Sequence, residues 1–138
     1  MSSIDRTAAS LRFFGDDLDP DEITTHLGRP PTVGVRKGGT WTTEMGVSKP
    51  ARTGSWRLRV ERRQPGDLDG QIAELLEGLT DDLSVWQALT NRFKADLFCG
   101  LFLGEGNQGL ELSAKTMADL GARGLELGLD IYGAEMRD

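Results

Sequence analysis

Ser55-Trp56-Arg57-Leu58-Arg59-Val60-Glu61 alternates strictly, with Trp56, Leu58 and Val60 on one side and Arg57, Arg59 and Glu61 on the other. A period of two with the large apolar residues on a single face is the pattern of a half-buried strand. Gln64-Pro65-Gly66-Asp67 then turns the chain, and Leu68, Ile72, Leu75, Leu76 and Leu79 follow at helical spacing, continued by Leu83, Trp86 and Leu89. Gly78 and the capping cluster Thr80-Asp81-Asp82 fall inside that run, so 68–92 reads either as one kinked helix or as two. Asp96 to Leu103 is apolar enough for a central strand. Gly104 to Gly109 turns, and Leu110-Glu111-Leu112 alternates again as the returning arm of a hairpin. Ser113 caps a helix with inward Met117 and Leu120, closed at Gly121 or Gly124, and Leu125, Leu127, Leu129 and Ile131 lead a last strand to Tyr132. Residues 54–138 are therefore expected to form a ferredoxin-like βαββαβ sandwich, an α+β core with its helices on one face of the sheet.

Upstream, Thr7 to Phe14 reads as a strand stopped by Gly15. Asp19 is an N-cap, Pro20 suits the first helical position, and Glu22 stands at the capping-box spacing from Asp19. The helix ends at Gly28, because Arg29-Pro30-Pro31 cannot continue it. Residues 1–28 thus add an N-terminal strand and short helix to the core. Residues 29–53, broken by Pro30, Pro31, Gly34, Gly38, Gly39, Gly46 and Pro50, read as a long irregular connection with room for short strands. A single domain over 1–138 is the expectation for a chain of 138 residues.

An apolar fraction of 38% and a charged fraction of 28% belong to a folded chain and not to a disordered one. Met1 to Ser10 shows no secretory pattern, and the longest apolar run, Leu97 to Leu103, is too short to span a bilayer, so a cytosolic setting without a membrane partner is expected. The net charge of −6 is unevenly spread. Residues 29–63 hold nine basic side chains against two acidic ones, whereas 1–28 and 64–138 carry net −4 and −9. Such segregation bears on the choice of partner.

Several motifs fail on mechanism. Gly104, Gly106 and Gly109 spell a dinucleotide fingerprint, yet Gly109 opens onto a period-two segment where the motif needs a helix N-terminus for the pyrophosphate. Asp17, Asp19 and Asp21 match the start of a calcium loop, but Glu22 stands where its turn glycine belongs and Gly28 where its closing acid belongs. His26 and Cys99 are the sole histidine and cysteine, too few for a zinc site or a nucleophile with its base. Cys99 reads as a buried small apolar residue. No catalytic residue, metal ligand or cofactor is assigned.

What remains is the basic middle of the chain. Arg36, Lys37, Trp41, Arg57 and Arg59 combine guanidinium, ammonium and indole groups that can hold a small anion by charge and stacking. Duplex nucleic acid is disfavoured by the acidic whole and by the lack of a helix-turn-helix pattern. The leading functional expectation is a non-enzymatic domain that binds another protein or a second copy of itself. A homodimer would pair basic with acidic regions or join strand edges. Binding of a small anionic ligand through 29–63 is the alternative, and a carboxylate-based enzyme stands third.

The stretch Leu11-Arg12-Phe13-Phe14-Gly15-Asp16-Asp17-Leu18-Asp19-Pro20-Asp21-Glu22-Ile23-Thr24-Thr25-His26-Leu27-Gly28-Arg29-Pro30-Pro31-Thr32 resembles the opening signature of a family of small bacterial proteins catalogued as a domain of unknown function. Lys37-Gly38, Gly54-Ser55-Trp56 and Leu127-Gly128-Leu129-Asp130-Ile131-Tyr132 are similar to it as well. The resemblance implies a bacterial, stand-alone, single-domain protein. It carries no activity and no site residues.

Overall fold

The computed structural model describes residues 2–43 and 45–134. In chain order the elements are β1 (Ser2–Ser3), β2 (Arg6–Gly15), α1 (Pro20–Leu27), β3 (Val33–Val35), β4 (Thr40–Thr42), β5 (Ser48–Pro50), β6 (Gly54–Arg59), α2 (Leu68–Glu77), α3 (Leu83–Arg92), β7 (Lys94–Phe102), β8 (Gln108–Gly109), α4 (Ala114–Ala122) and β9 (Glu126–Tyr132). The main sheet has five strands in the order β3-β6-β2-β7-β9. β2 runs antiparallel to both β6 and β7, β3 runs antiparallel to β6, and β7 and β9 are parallel.

The α+β class holds, but the βαββαβ run expected over 54–138 is formed further upstream, by β2, α1, β3, β6, α2–α3 and β7, in the sheet order β3-β6-β2-β7. The N-terminal strand is no extension. β2 lies at the centre of the sheet, between β6 and β7, so the β6-α2-α3-β7 crossover straddles it. The expected hairpin is absent: Leu110-Glu111-Leu112 forms no strand, and Gln108–Gly109 instead pairs in parallel with Ser2–Ser3. The reason is competition for edges. A strand has two, and β2 takes one edge of β7 from Lys94 to Phe102 while β9 takes the other from Asp96 to Phe102. Leu110 and Leu112 still pack against the core, as loop residues.

Alternation along β2 decides which side is covered. Thr7, Ala9, Leu11 and Phe13 are buried, whereas Arg6, Ala8, Ser10, Arg12 and Phe14 are half-buried. Ala9, Leu11 and Phe13 meet Trp56 and Leu58 of β6, Leu97, Cys99 and Leu101 of β7, and the helical residues Ile23, Leu27, Ile72, Leu75, Trp86 and Leu89 in one core. Gly54 lets β6 approach the turn after β2, because a Cβ there would lie 2.7 Å from the carbonyl oxygen of Gly15 and 2.8 Å from that of Leu18.

The helix ends follow local chemistry. Asp19 accepts from the Asp21 amide at 3.0 Å, Pro20 opens α1, and Gly28 closes it at φ 91° in the left-handed region. Glu22 does not complete a capping box; its carboxylate takes both guanidinium nitrogens of Arg92 at 3.0 Å and ties α1 to α3. The run 68–92 resolves into two helices, the second capped by Asp82. Ser113 caps α4 as expected, but Met117 points outward and Thr116 and Leu120 are the buried residues. Among the described residues no helix is long and apolar enough to cross a membrane.

The connection 29–53 is structured. β3 extends the sheet beside β6, and β4 and β5 form a separate two-stranded hairpin. Arg36 and Lys37 anchor this segment to the acids flanking α1, through Arg36–Asp19 at 2.7 Å and Lys37–Asp16 at 3.3 Å.

Candidate functional site

The uncovered face of the sheet carries the chemistry. Register sets its rows: Arg57 on β6 stands beside Arg12 on β2, which stands beside Asp96 on β7; Arg59, Ser10 and Phe98 form the next row; Ala8 and Gly100 lead to Asp130; Arg6 and Phe102 lead to Tyr132. The small residues Ala8, Ser10 and Gly100 leave a floor, and larger side chains rise around it. The result is a recess of about 370 Å³, walled by Arg12, Arg57, Arg59, Arg62, Phe98, Phe102 and Tyr132 among others, with no helical residue in its lining.

Guanidinium and aromatic groups interleave around this recess. Arg12 lies 4.2 Å from the Phe98 ring centroid and 5.1 Å from that of Phe14. Arg6 and Arg62 lie 4.7 and 5.2 Å from the Phe102 ring, which itself stacks on Tyr132 at 4.8 Å. Arg57 sits between Phe14 at 5.3 Å and Trp41 of the β4–β5 hairpin at 5.5 Å. Stacked arginines keep their in-plane N–H groups directed away from the ring, ready for a planar or tetrahedral anion.

The charges are not equally available. Arg12 is committed to Asp96 by a bidentate pair at 2.8 and 2.7 Å. Among the described residues the Nε of Arg57 has no hydrogen-bond partner, and the same is true of Arg6. Burial, first, and then the like charges of Arg12 and Arg59 push the Arg57 pKa below its ordinary value, against the opposing pull of Asp96. A guanidinium is not deprotonated by such a shift at neutral pH; the shift measures how poorly its charge is compensated. Asp130, the one carboxylate lining the recess among the described residues, accepts from the Tyr132 hydroxyl at 2.6 Å, and that bond raises the Tyr132 pKa. Asp96 is held by Arg12 and Asp130 by Tyr132.

Of the residues singled out from the sequence, Arg57 and Arg59 line the recess, and Trp41 reaches it through Arg57. Trp41, Lys49, Arg52 and Arg57 also line an adjoining hollow of about 400 Å³ between the hairpin and β6. Arg36 and Lys37 lie in neither lining and engage Asp19 and Asp16. Sequence reasoning missed Arg12, Arg62, Phe98, Phe102 and Tyr132. The outward positions of the Thr7–Phe14 and Asp96–Leu103 alternations carried that signal, once both strands are read as one-sided.

The other motifs have structural roles. Gly104 donates to the Gln108 side chain within a turn, and the next helix begins only after Ser113. Cys99 is buried, and burial foremost, with the charge of Asp96, pushes its thiol up to about 12. Among the described residues no group of three or more His, Cys, Asp or Glu side chains is placed to hold a metal ion.

Fold and site together define a class: a mixed α+β domain with helices on one face of its sheet and an arginine- and aromatic-lined recess on the other. The family described as a domain of unknown function (DUF4279) matches residues 5–134, nearly the whole length, and the chain belongs to it. No curated protein and no solved structure matches the chain.

Proposed function

We propose that this chain is a binding domain for a small anionic ligand, seated in the recess on the open sheet face. The observation that carries the reading is Arg57: a half-buried guanidinium with an unpartnered Nε, next to two further arginines and between two aromatic rings. A carboxylate or phosphate there offsets like-charge repulsion and completes the hydrogen bonding of a buried donor. Phe98, Phe102 and Tyr132 favour an anion attached to a flat or apolar body. The setting consistent with the sequence is a bacterial cytosol, where phosphorylated and carboxylated metabolites supply such ligands.

Phenyl phosphate is a suitable probe, since it joins the two chemistries. At millimolar concentration it is expected to raise the thermal midpoint of the wild-type chain, as any ligand of the folded state must. Arg57→Met is expected to abolish that rise while leaving the fold intact. A wild-type midpoint unmoved by phenyl phosphate, or an equal rise in Arg57→Met, would overturn the reading.

A further inference from the structure

β9 closes one side of the main sheet. Its inner edge bonds to β7, and its outer edge has no strand beside it among the described residues. Natural edge strands are blunted by brevity, proline or charged side chains, lysine above all. The opposite edge follows that rule, since β3 has three residues and lies just after Pro30 and Pro31. β9 does not. It is seven residues long and contains no proline, lysine or arginine, and its two acids, Glu126 and Asp130, lie on the recess side, away from the apolar stripe.

β9 also exposes an apolar stripe. Leu127, Leu129 and Ile131 are 39%, 48% and 58% accessible. They lie on the helix-bearing side, because their register partners Leu97, Cys99 and Leu101 are buried in the core. Met117 of α4, at 56%, adds to the exposed apolar surface. Alternation normally buries such a set, and here the sheet ends with nothing covering it among the described residues.

We infer that β9 pairs with β9 of a second copy, antiparallel about a two-fold axis through Leu129, joining two main sheets into one. The strand's own pattern selects this register. Directly opposed residues in an antiparallel pair share a face, so an axis perpendicular to the sheet must pass through a residue position. Centred on Leu129, all seven residues overlap: Leu127 meets Ile131, Leu129 meets itself, Gly128 meets Asp130 and Glu126 meets Tyr132. Centring on Gly128 would oppose Glu126 to Asp130, and centring on Asp130 would oppose that acid to itself, both disfavoured. The Leu129 register opposes no acid to an acid and matches apolar to apolar along the whole stripe. The contact is isologous and closes as a dimer.

Such an axis keeps like faces together. Both ligand recesses would then open on the same side, with Asp130 and Tyr132 of each lying on the joining strand itself. Dimerisation itself does not depend on the ligand reading, since Arg57 lies on the far side of β2 from β9.

Sedimentation of the full chain at micromolar concentration should give the mass of two chains, and Leu129→Lys, which places like charges on the axis, the mass of one. Leu129 is half-exposed on an edge strand, so a retained cooperative melt will show that the variant folds. Register is read by cysteine capture. Under mild oxidation Leu129→Cys should cross-link to itself, as should the pair Leu127→Cys with Ile131→Cys, whereas Leu127→Cys alone should not. The captures are made in a Cys99→Ala background, because Cys99 is the register partner of Leu129 across β7 and β9. A wild-type mass of one chain, a dimer that survives in Leu129→Lys, or self-capture by Leu127→Cys alone would overturn the proposal; Arg57→Met should leave the mass at two chains.

Discussion

At the scale of single residues, the pair Arg12–Asp96 shows how the open face tolerates so much positive charge. Its side chains are 24% and 11% accessible, so neither ion is fully solvated, and two short hydrogen bonds hold the geometry. Removing the carboxylate charge strands a guanidinium beside Arg57, its neighbour across β2 and β6. Asp96→Asn is expected to lower stability by about 2 kcal/mol, read as a shift of the urea midpoint at constant m-value. Phenyl phosphate should still stabilise this variant, because Asp96 accepts and does not donate. Loss of binding with stability unchanged would assign Asp96 to the ligand and not to the frame.

Elements dock through a few polar contacts set into an apolar interface. Thr7 on β2 donates to the Gln71 side chain at 2.6 Å, Gln71 donates back to the Thr7 carbonyl at 3.0 Å and to that of Glu61 at 2.9 Å, and the Asp67 amide donates to the Thr7 hydroxyl at 2.9 Å. This network fixes the start of α2 over the central strand. At α1 the same role falls to Asp19, which caps the helix and pairs with Arg36. Asp19→Ala is expected to cost about 0.5–2 kcal/mol, most of it from the cap. The exposed Glu22–Arg92 pair is weaker, and Glu22→Gln should stay within about 0.5 kcal/mol of wild type. Paired urea titrations compare the two, and equal costs would show that the cap is not the dominant contact.

For the molecule as a whole, acid should act through carboxylates held below their ordinary values. Asp82 is lowered by the Ser84 hydroxyl and amide, Asp69 by the Ser113 amide, Asp16 by Thr53 and Lys37, Asp119 by Lys115 and Glu22 by Arg92. A depressed folded-state pKa contributes stability above the unfolded value, 3.8 for aspartate and 4.5 for glutamate, and that contribution is lost as pH falls through the folded value. Stability from these groups should therefore be flat from neutrality to about pH 5 and decline below about pH 4. These groups lie at the surface, partly or fully exposed, so added salt should shrink the effect of those paired with lysine or arginine. Urea midpoints measured across pH test this, and a midpoint that rises between pH 5 and pH 3 would refute it.

Local chemistry was legible in the sequence because it acts over one to four residues. The caps at Asp19, Asp82 and Ser113, the stop at Gly28, the inward Trp56 and Leu58 and the buried Cys99 each follow from neighbours along the chain. The two-helix break near Gly78 was visible for the same reason. Strand order was not. Whether β7 pairs with Leu110–Leu112, with β2 or with β9 is a competition among distant segments for two edges, and periodicity says only that a strand exists. The recess was half legible for the same cause. Arg57 and Arg59 stood out by composition, whereas Arg12, Phe98, Phe102 and Tyr132 joined them only through register, as when Arg12 meets Asp96 across 84 residues of chain. Met117 and the β9 stripe show the converse. Their spacing marks an apolar face, but the place where the sheet ends decides that this face stays exposed among the described residues.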